Sequence, residues 1–398
     1  MIDLTSKNEC TGCQACRLLC PNHCITMDTD DAGFQIPLID RANCADCGLC
    51  VSRCPESSRM IFPQNDCIKV LAARRYIDDK LLSKSSSGGV FVGIARKVLE
   101  TPGNAVFGCA FDANMVARHI CVTDIKDIAP LQSSKYVQSD TGDTYLQTRT
   151  LLEEGKTVFY TGTPCQIAGL YAFLEKDYDN LLTADLICHG VPSPLLFKRY
   201  INRLSKKFGE NVINYNFRSK DKNGWGLNLI LETETRTKAI MWQTDPYYLS
   251  FLENRTLREC CYICKYASHH RVADITLGDF WGIELEHPEF YDRSGVSVIL
   301  VNTTKGDNFF ETVYNDFDII ESDFEKVVKK NMNLRKPSPR SKLRDIAYKN
   351  IWNENIDVFK GPAYKINKKA YMKAYLKKTM PFFLIKTIKK IKSKIRKA

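Results

Sequence analysis

Eight of the seventeen cysteines fall into two copies of one spaced run. The first reads Cys10-x2-Cys13-x2-Cys16-x3-Cys20-Pro21, the second Cys44-x2-Cys47-x2-Cys50-x3-Cys54-Pro55. Two-residue gaps let three thiolates converge from one short loop, and the proline turns the chain away. This is the spacing that holds a pair of [4Fe-4S] clusters, with the fourth cysteine of each run ligating the other cluster. It assigns Cys10, Cys13, Cys16 and Cys54 to one cluster, and Cys44, Cys47, Cys50 and Cys20 to the other. Zinc has no use for a third evenly spaced cysteine followed by Cys-Pro. Disulfides suit small secreted chains, and the opening Met-Ile-Asp-Leu-Thr-Ser lacks the charged and apolar regions of a secretion signal. Cys24 stands outside the pattern and is expected to be an ordinary small buried residue.

Four more cysteines are spaced for chemistry. Cys165 and Cys188 follow two predicted strands, where α/β folds place their ligand sites. Cys261 and Cys264 form a Cys-x2-Cys pair, although Cys260 offers a competing register. Together the four could supply the thiolates of a third [4Fe-4S] cluster; the other reading is two buried thiols and a chance pair. Two loops lead into helices, Thr161-Gly162-Thr163-Pro164 and Ser85-Ser86-Ser87-Gly88-Gly89. Free amides at a helix start attract phosphate, while an ordinary N-cap with flexible glycines explains either loop equally simply. Neither a G-x-G-x-x-G nor a Walker run is present. Asp279 beside Phe280 and Trp281 could frame an aromatic ligand or form a packed turn. His189, His269 and His270 receive no role.

These residues need elements to hold them. Residues 1–65 read as a small two-cluster domain, an internal repeat of about thirty-four residues with a strand-like segment after each cysteine run. Residues 68–84 read as a linker or helix carrying Arg74, Arg75, Asp78 and Asp79. Val90, Phe91, Ile94, Val98 and Leu99 recur at helical spacing. Strands are predicted at 105–109, 120–122, 157–160 and 181–187. Helices are predicted at 142–154, with Tyr145, Leu146, Leu151 and Leu152 inward, and after Pro164. Cys109 and Cys121 are expected in the core. Strands recur at 213–217, 227–232, 239–243 and 296–301, and 304–358 reads as mostly helical. Alternating strand, loop and helix predict a mixed α/β (α+β or α/β) fold. The domains are then 1–65, a mixed α/β domain over 68–340, and a helical region with a basic amphipathic tail over 341–398.

The chain has 398 residues, enough for two or three domains, and its 44% hydrophobic and 26% charged content is ordinary for a globular protein. The net charge is +11, but thirteen Lys and Arg and no acid lie between Ala363 and Ala398. Without that tail the body is slightly acidic, which argues against nucleic acid as a partner. In the tail Ile388, Ile391 and Ile395 fall on one helical face among lysines, the composition of an interfacial helix; a frayed, solvated terminus is the plainer reading. No run of about eighteen apolar residues is present. A cytoplasmic location is expected, with peripheral contact at the inner face of the membrane if the tail binds lipid.

Several motifs in order carry a family resemblance: Ser-Ser-Gly-Gly-Val-Phe at 86–91, Thr-Gly-Thr-Pro-Cys-Gln-Ile-Ala-Gly-Leu at 161–170 and Cys-His-Gly-Val-Pro-Ser at 188–193. Phe-Arg-Ser-Lys at 217–220, Gly-Trp-Gly at 224–226, Cys-Tyr-Ile-Cys at 261–264 and Asp-Ile-Thr-Leu-Gly-Asp-Phe-Trp-Gly at 274–282 continue the series. Over about 68–340 the chain resembles the coenzyme F-420 (deazaflavin) hydrogenase/dehydrogenase beta-subunit family, in which a ferredoxin-type two-cluster domain is a common N-terminal partner. The resemblance implies FAD and one [4Fe-4S] cluster in this domain. It points to Cys165, Cys188, Cys261 and Cys264 as that cluster's ligands. It points to Ser87, Gly88, Gly89, Lys135, Tyr136, Thr161, Gly162, Thr163 and Gln166 for the flavin. The basic tail is not part of the family pattern.

The expected function is an iron–sulfur flavoprotein oxidoreductase. It would pass electrons between ferredoxin-type clusters and FAD, with hydride chemistry on a deazaflavin or another substrate. The partner would be a redox protein or a deazaflavin-type small molecule. The alternative is an electron-transfer subunit with no substrate of its own, serving a polysaccharide-synthesis pathway at the membrane. No individual catalytic residue is assigned.

Overall fold

The computed structural model describes residue 6, residues 8–57, 65–75, 83–220 and 224–366, and residue 372. Almost all of the basic tail, including Ile388, Ile391 and Ile395, lies outside the described residues, as do Asp78 and Asp79.

The first cysteine loop runs into a short helix, α1 (Ala15–Leu19). An antiparallel hairpin follows, β1 (Ile25–Thr29) and β2 (Gln35–Ile39), with Ile25 opposite Ile39. The second loop runs into α2 (Leu49–Ser52). Both helices start from a left-handed residue, Gln14 at φ 68° and Gly48 at φ 73°. Those two positions are separated by the same interval as Cys10 and Cys44, so the repeat in sequence is a repeat in backbone. Both strands of the hairpin lie between the two cysteine runs; residues 58–64 after the second run are outside the described residues.

The main body is built on an eight-stranded mixed sheet. It begins with β3 (Lys69–Arg75), the helix α3 (Val90–Leu99), β4 (Ala105–Phe111) and β5 (Ala117–Val122). Then come α4 (Thr144–Glu153), β6 (Val158–Gly162), α5 (Pro164–Leu174), β7 (Leu181–Leu186) and α6 (Pro194–Phe208). A separate antiparallel sheet follows, from β8 (Val212–Asn216), β9 (Asn228–Thr233) and β10 (Thr237–Met241), with α7 (Pro246–Leu252) after it. The chain returns to the main sheet with β11 (Ile275–Asp279), α8 (Ile283–Glu286), β12 (Ser297–Val301), α9 (Thr304–Glu311) and β13 (Phe317–Glu321). It ends in α10 (Phe324–Val328), α11 (Arg344–Tyr348) and short turns. The sheet order is β13-β3-β12-β11-β7-β6-β4-β5. The four neighbours β4, β6, β7 and β11 run parallel, so their C-terminal ends share one edge.

Alternation along these strands fills two layers. Val106, Phe159, Leu182 and Ile275 face α3 and Phe310, whereas Phe107, Val158 and Tyr160 face α4 and α5 on the other side. Burial on both faces is what parallel strands require. A further core joins α6, α7 and the small sheet to Phe34 of the hairpin region and to Ala347, Tyr348, Phe359 and Tyr364 near the C-terminal end.

The structure corrects several expectations. The stretch read as linker or helix contains β3, paired with β12 and β13 on its two sides. Leu71, Ala72 and Ala73 are buried, and Arg74, which disguised the strand, is paired with Asp292 and Asp318 at 3.1 Å each. The stretch 304–358 is not mostly helical. β13 lies within it, because Phe317 fills the core and Ile319 and Ile320 complete an edge strand. Leu146 faces solvent at 42% exposure. Cys109 and Cys121 are half-buried. Ala363 and Tyr364, counted with the tail, are buried in the core.

Gly93 lies inside α3, where alanine would ordinarily favour the helix by about 1 kcal/mol. Here a Cβ would overlap the ring of Phe317, itself buried against the same layer. Overpacking a closed core costs about 1–3 kcal/mol, so the clash outweighs propensity. Gly93→Ala is expected to lower the thermal midpoint; an unchanged or raised midpoint contradicts this packing.

Candidate metal centre and cofactor edge

The first cysteine site is assembled from a loop and one distant residue. Gly12, at φ 69°, lets the loop fold so that its amide reaches the Cys10 sulfur at 3.4 Å. Cys10, Cys13, Cys16 and, from the other run, Cys54 line one cavity. Cys20, Cys44, Cys47 and Cys50 line a second. The crossed grouping expected from the spacing is the grouping in space. Cys24 is buried, as expected, and also lines the second cavity, with its sulfur 3.3 Å from that of Cys20. Its place just before β1 was readable, but no spacing rule marked it. Cys47 is exposed, so the second site opens outward.

Burial sets the state of these thiols. It pushes Cys13 up to about 12 and raises Cys10, Cys16 and Cys50. The Arg258 guanidinium opposes it at Cys10. Converging thiols with little access to water remain protonated until a metal replaces their protons. That donor set fits an iron–sulfur cluster, whose ligands are thiolates.

A third set of cysteines meets at the parallel-strand edge. Cys165 sits in the first turn of α5, with the Thr163 hydroxyl 3.2 Å from its sulfur. Cys188 follows β7, and the Gly190 amide reaches its sulfur at 3.4 Å. Cys261 and Cys264 come from the turn at Glu259–Ile263. Cys188, Cys264 and Cys261 each raise the Cys165 thiol beyond what burial does, and Cys261 and Cys264 do the same at Cys188. Burial brings Cys188 to about 12. Cys260 is buried beside Cys261, and the pair acting on both Cys165 and Cys188 is Cys261 with Cys264. Four thiols from three separate chain segments therefore lie within electrostatic reach of one another.

The first and third sites are locked together. Gly169 packs directly on Cys13: a Cβ there would stand 2.8 Å from the Cys13 Cβ and 3.0 Å from its sulfur. Gly169 is four residues beyond Cys165 on α5, on the same face one turn along. The two positions are about 6 Å apart along the helix axis. Glu56 accepts from the Tyr266 hydroxyl at 2.9 Å and lies 3.6 Å from Lys265, which also donates to the Pro55 carbonyl. Buried Arg258 donates to the carbonyls of Cys10 and Gln35 and to Gln138, at 2.7–2.8 Å. Its own amide and carbonyl bond to Val191 and Cys261.

The nine flavin candidates line the same edge of the sheet. Thr161, Gly162, Thr163 and Gln166 end β6 and begin α5. Gln166 and Thr163 form a reciprocal cap, and Gln166 donates to Ser139 at 3.0 Å. Ser139 in turn lies 3.0 Å from Nδ1 of His119, whose Nε2 lies 3.0 Å from the Thr161 carbonyl. Burial lowers His119 to about 4, leaving the ring neutral. Lys135, lowered to about 8 by burial, donates to the carbonyls of Pro130 and Gln132. Ser87, Gly88 and Gly89 enter α3 a short way along the edge, joined to the Lys135 segment by a 3.0 Å contact between Ser86 and Ser134. Tyr136 accepts from Arg218 at 3.1 Å.

Arg218 and Lys220 belong to a sequence motif that assigned neither of them a role. Arg218 makes a two-pronged pair with Asp279 at 2.8 Å, with its side chain 1% exposed. Trp225 donates to Asp279 at 2.6 Å and stacks on Trp281 with centroids 5.1 Å apart. Asp279 is thus held in a packed ionic turn. Lys220 donates to the Ser87 carbonyl at 2.5 Å. Backbone carbonyl binding by two half-buried lysines at a glycine-rich edge is a signal that spacing alone does not carry. Among the described residues no helix is long and apolar enough to cross a membrane.

Comparison with known proteins finds two family matches along the chain. Residues 9–58 match the family described as 4Fe-4S dicluster domain. Residues 155–326 match the family described as the C terminus of the Coenzyme F420 hydrogenase/dehydrogenase beta subunit, inside the 68–340 region that carries the resemblance. The chain is 22% identical over 382 residues to the uncharacterized protein MJ1349 of Methanocaldococcus jannaschii, covering 84% of this chain and 95% of that one. A chain of the F420-reducing [NiFe] hydrogenase complex from Methanosarcina barkeri is 18% identical, with a TM-score of 0.47 over 69% of this chain and 92% of that chain.

The Gly169 contact yields a test. Gly169→Leu would drive a side chain into Cys13 and part the two sites. Iron content of anoxically purified protein is expected to fall, with the loss confined to the cluster fed by Cys13; undiminished iron contradicts the contact.

Proposed function

We propose that this chain, which joins a 4Fe-4S dicluster domain at residues 9–58 to the C-terminal domain of a coenzyme F420 hydrogenase/dehydrogenase beta subunit at residues 155–326, is an iron–sulfur flavoprotein oxidoreductase. Cys10, Cys13, Cys16 and Cys54 hold one [4Fe-4S] cluster, and Cys20, Cys44, Cys47 and Cys50 a second. Cys165, Cys188, Cys261 and Cys264 hold a third. FAD lies along the edge formed by Ser87, Gly88, Gly89, Lys135, Tyr136, Thr161, Gly162, Thr163 and Gln166. When bound, the clusters take up and release single electrons and the flavin pairs them for hydride chemistry on a deazaflavin or another planar substrate. The domains are 1–65, 68–340 and 341–398, the last ending in a basic tail suited to peripheral contact with an anionic membrane.

The observation that carries this reading is the convergence of four cysteines from three segments one helical turn from the first site. The chain's own groups have defined tasks. The Gly12 and Gly190 amides point at the sulfurs of Cys10 and Cys188, and hydrogen bonds to sulfur are a means of setting cluster potential. Arg258 places a buried positive charge beside Cys10. Pro55, Glu56, Lys265 and Tyr266 hold the spacing of two sites. Arg218 and Lys220 brace the glycine loop against β11. The exposed Cys47 leaves the second site facing a redox partner protein.

The test is iron, sulfide and flavin content of anoxically purified chain with EPR of the reduced protein. Iron for three cubanes and one flavin are expected. Cys188→Ser is expected to remove one cluster's iron and one EPR signal and to leave the other two. Flavin absent after cluster reconstitution, or full iron in the variant, contradicts the reading.

A further inference from the structure

We propose that Asp66, His269 and His270 form a site for one divalent transition-metal ion of the zinc class, separate from the thiol sites. One ligand atom from each of the three lies within 4.8 Å of the others. Two ligands about 2.1 Å from a tetrahedral ion stand roughly 3.4 Å apart, so small side-chain rotations complete the geometry.

The backbone brings these side chains together. Asp66 lies where the chain enters β3, and the histidines lie between Cys264 and β11. Asn65 and Arg271 exchange two backbone hydrogen bonds of 2.9 Å, pairing the two segments beside the three side chains. Arg271 is fixed in turn by Asp185 at 2.8 Å and Thr276 at 3.0 Å, both in the core. The imidazole centroids are 3.8 Å apart at 41°, closer than the roughly 4.5–7 Å of packed aromatic pairs. His270 Nδ1 stands 2.7 Å from Asp66 Oδ1, yet that enclosed nitrogen makes no aligned hydrogen bond. Asp66 and His270 are already paired, and His269 brings a third ligand atom within 4.8 Å of both. Cys67 turns its sulfur to the Lys69 carbonyl at 2.9 Å, so the donor set is nitrogen and oxygen.

Two imidazoles and a carboxylate suit zinc, with a fourth position left for water. Asp66 and His269 are exposed, so the ion exchanges with solvent. Bound there, it clips the entry of β3 to the loop that follows Cys264.

The test uses the full chain with its clusters loaded and loosely bound metal removed by chelator, titrated with Zn2+ by calorimetry and examined by zinc X-ray absorption. One equivalent is expected, with a first shell of nitrogen and oxygen near 2.0–2.1 Å. His269→Ala/His270→Ala is expected to abolish this binding, and Asp66→Asn, a change at an exposed side chain, to weaken it at least tenfold, both with iron content unchanged. Absence of saturable binding, a sulfur shell near 2.3 Å, or equal affinity in both variants overturns the proposal.

Discussion

The organisation of this chain depends on one close contact, between the Cys13 loop and Gly169 in α5. Only a residue without a Cβ lets the small N-terminal module approach the helix so near. The same helix presents Cys165 one turn earlier, so the contact fixes the distance between two thiol sites on different parts of the chain. Electron exchange between metal centres depends steeply on separation, and a rigid helix turn is a better ruler than a loop. The hydrogen bonds of Arg258, Glu56, Lys265 and Tyr266 surround this contact and hold it from the other side.

Electrostatics impose the second constraint. Several cysteines sit where burial disfavours the thiolate, so the chain alone favours the protonated form of those thiols. Gathering such groups costs little while they are neutral, and positive metal is what would ionise them. The few charges near the sites are individually paired or directed. Arg258 spends its donors on two carbonyls and one amide oxygen, and Arg218 is matched by Asp279. The neutral His119, linked through Ser139 to Gln166, keeps a polar network beside the glycine-rich loop without adding charge.

Much of this is legible in the order of the residues alone. The two cysteine runs carry their own geometry, because spacing of two residues within one loop leaves few ways for the sulfurs to point. The crossed partnership of Cys20 and Cys54 was legible for that reason. The third site was legible only as four scattered residues with two readings, since nothing local says that Cys165 and Cys261 meet across nearly a hundred positions. β3 was hidden by its charged end, where Arg74 and Arg75 mimic a solvated helix. β13 was hidden because Phe-Asp-Ile-Ile-Glu is short and lies among helices. Cys24 is buried as expected, but nothing in its spacing marks it as lining the second cavity. The Asp66–His269–His270 cluster joins residues two hundred positions apart through one backbone bridge.

The most direct test of the account is EPR of the anoxically purified chain, followed through stepwise reduction. On this account, clusters held at the Cys13 and Cys165 sites would carry unpaired electrons close enough to interact. The account predicts lines that are simple at partial reduction and become split and broadened at full reduction. Spectra that remain a plain sum of independent clusters at every stage would contradict it.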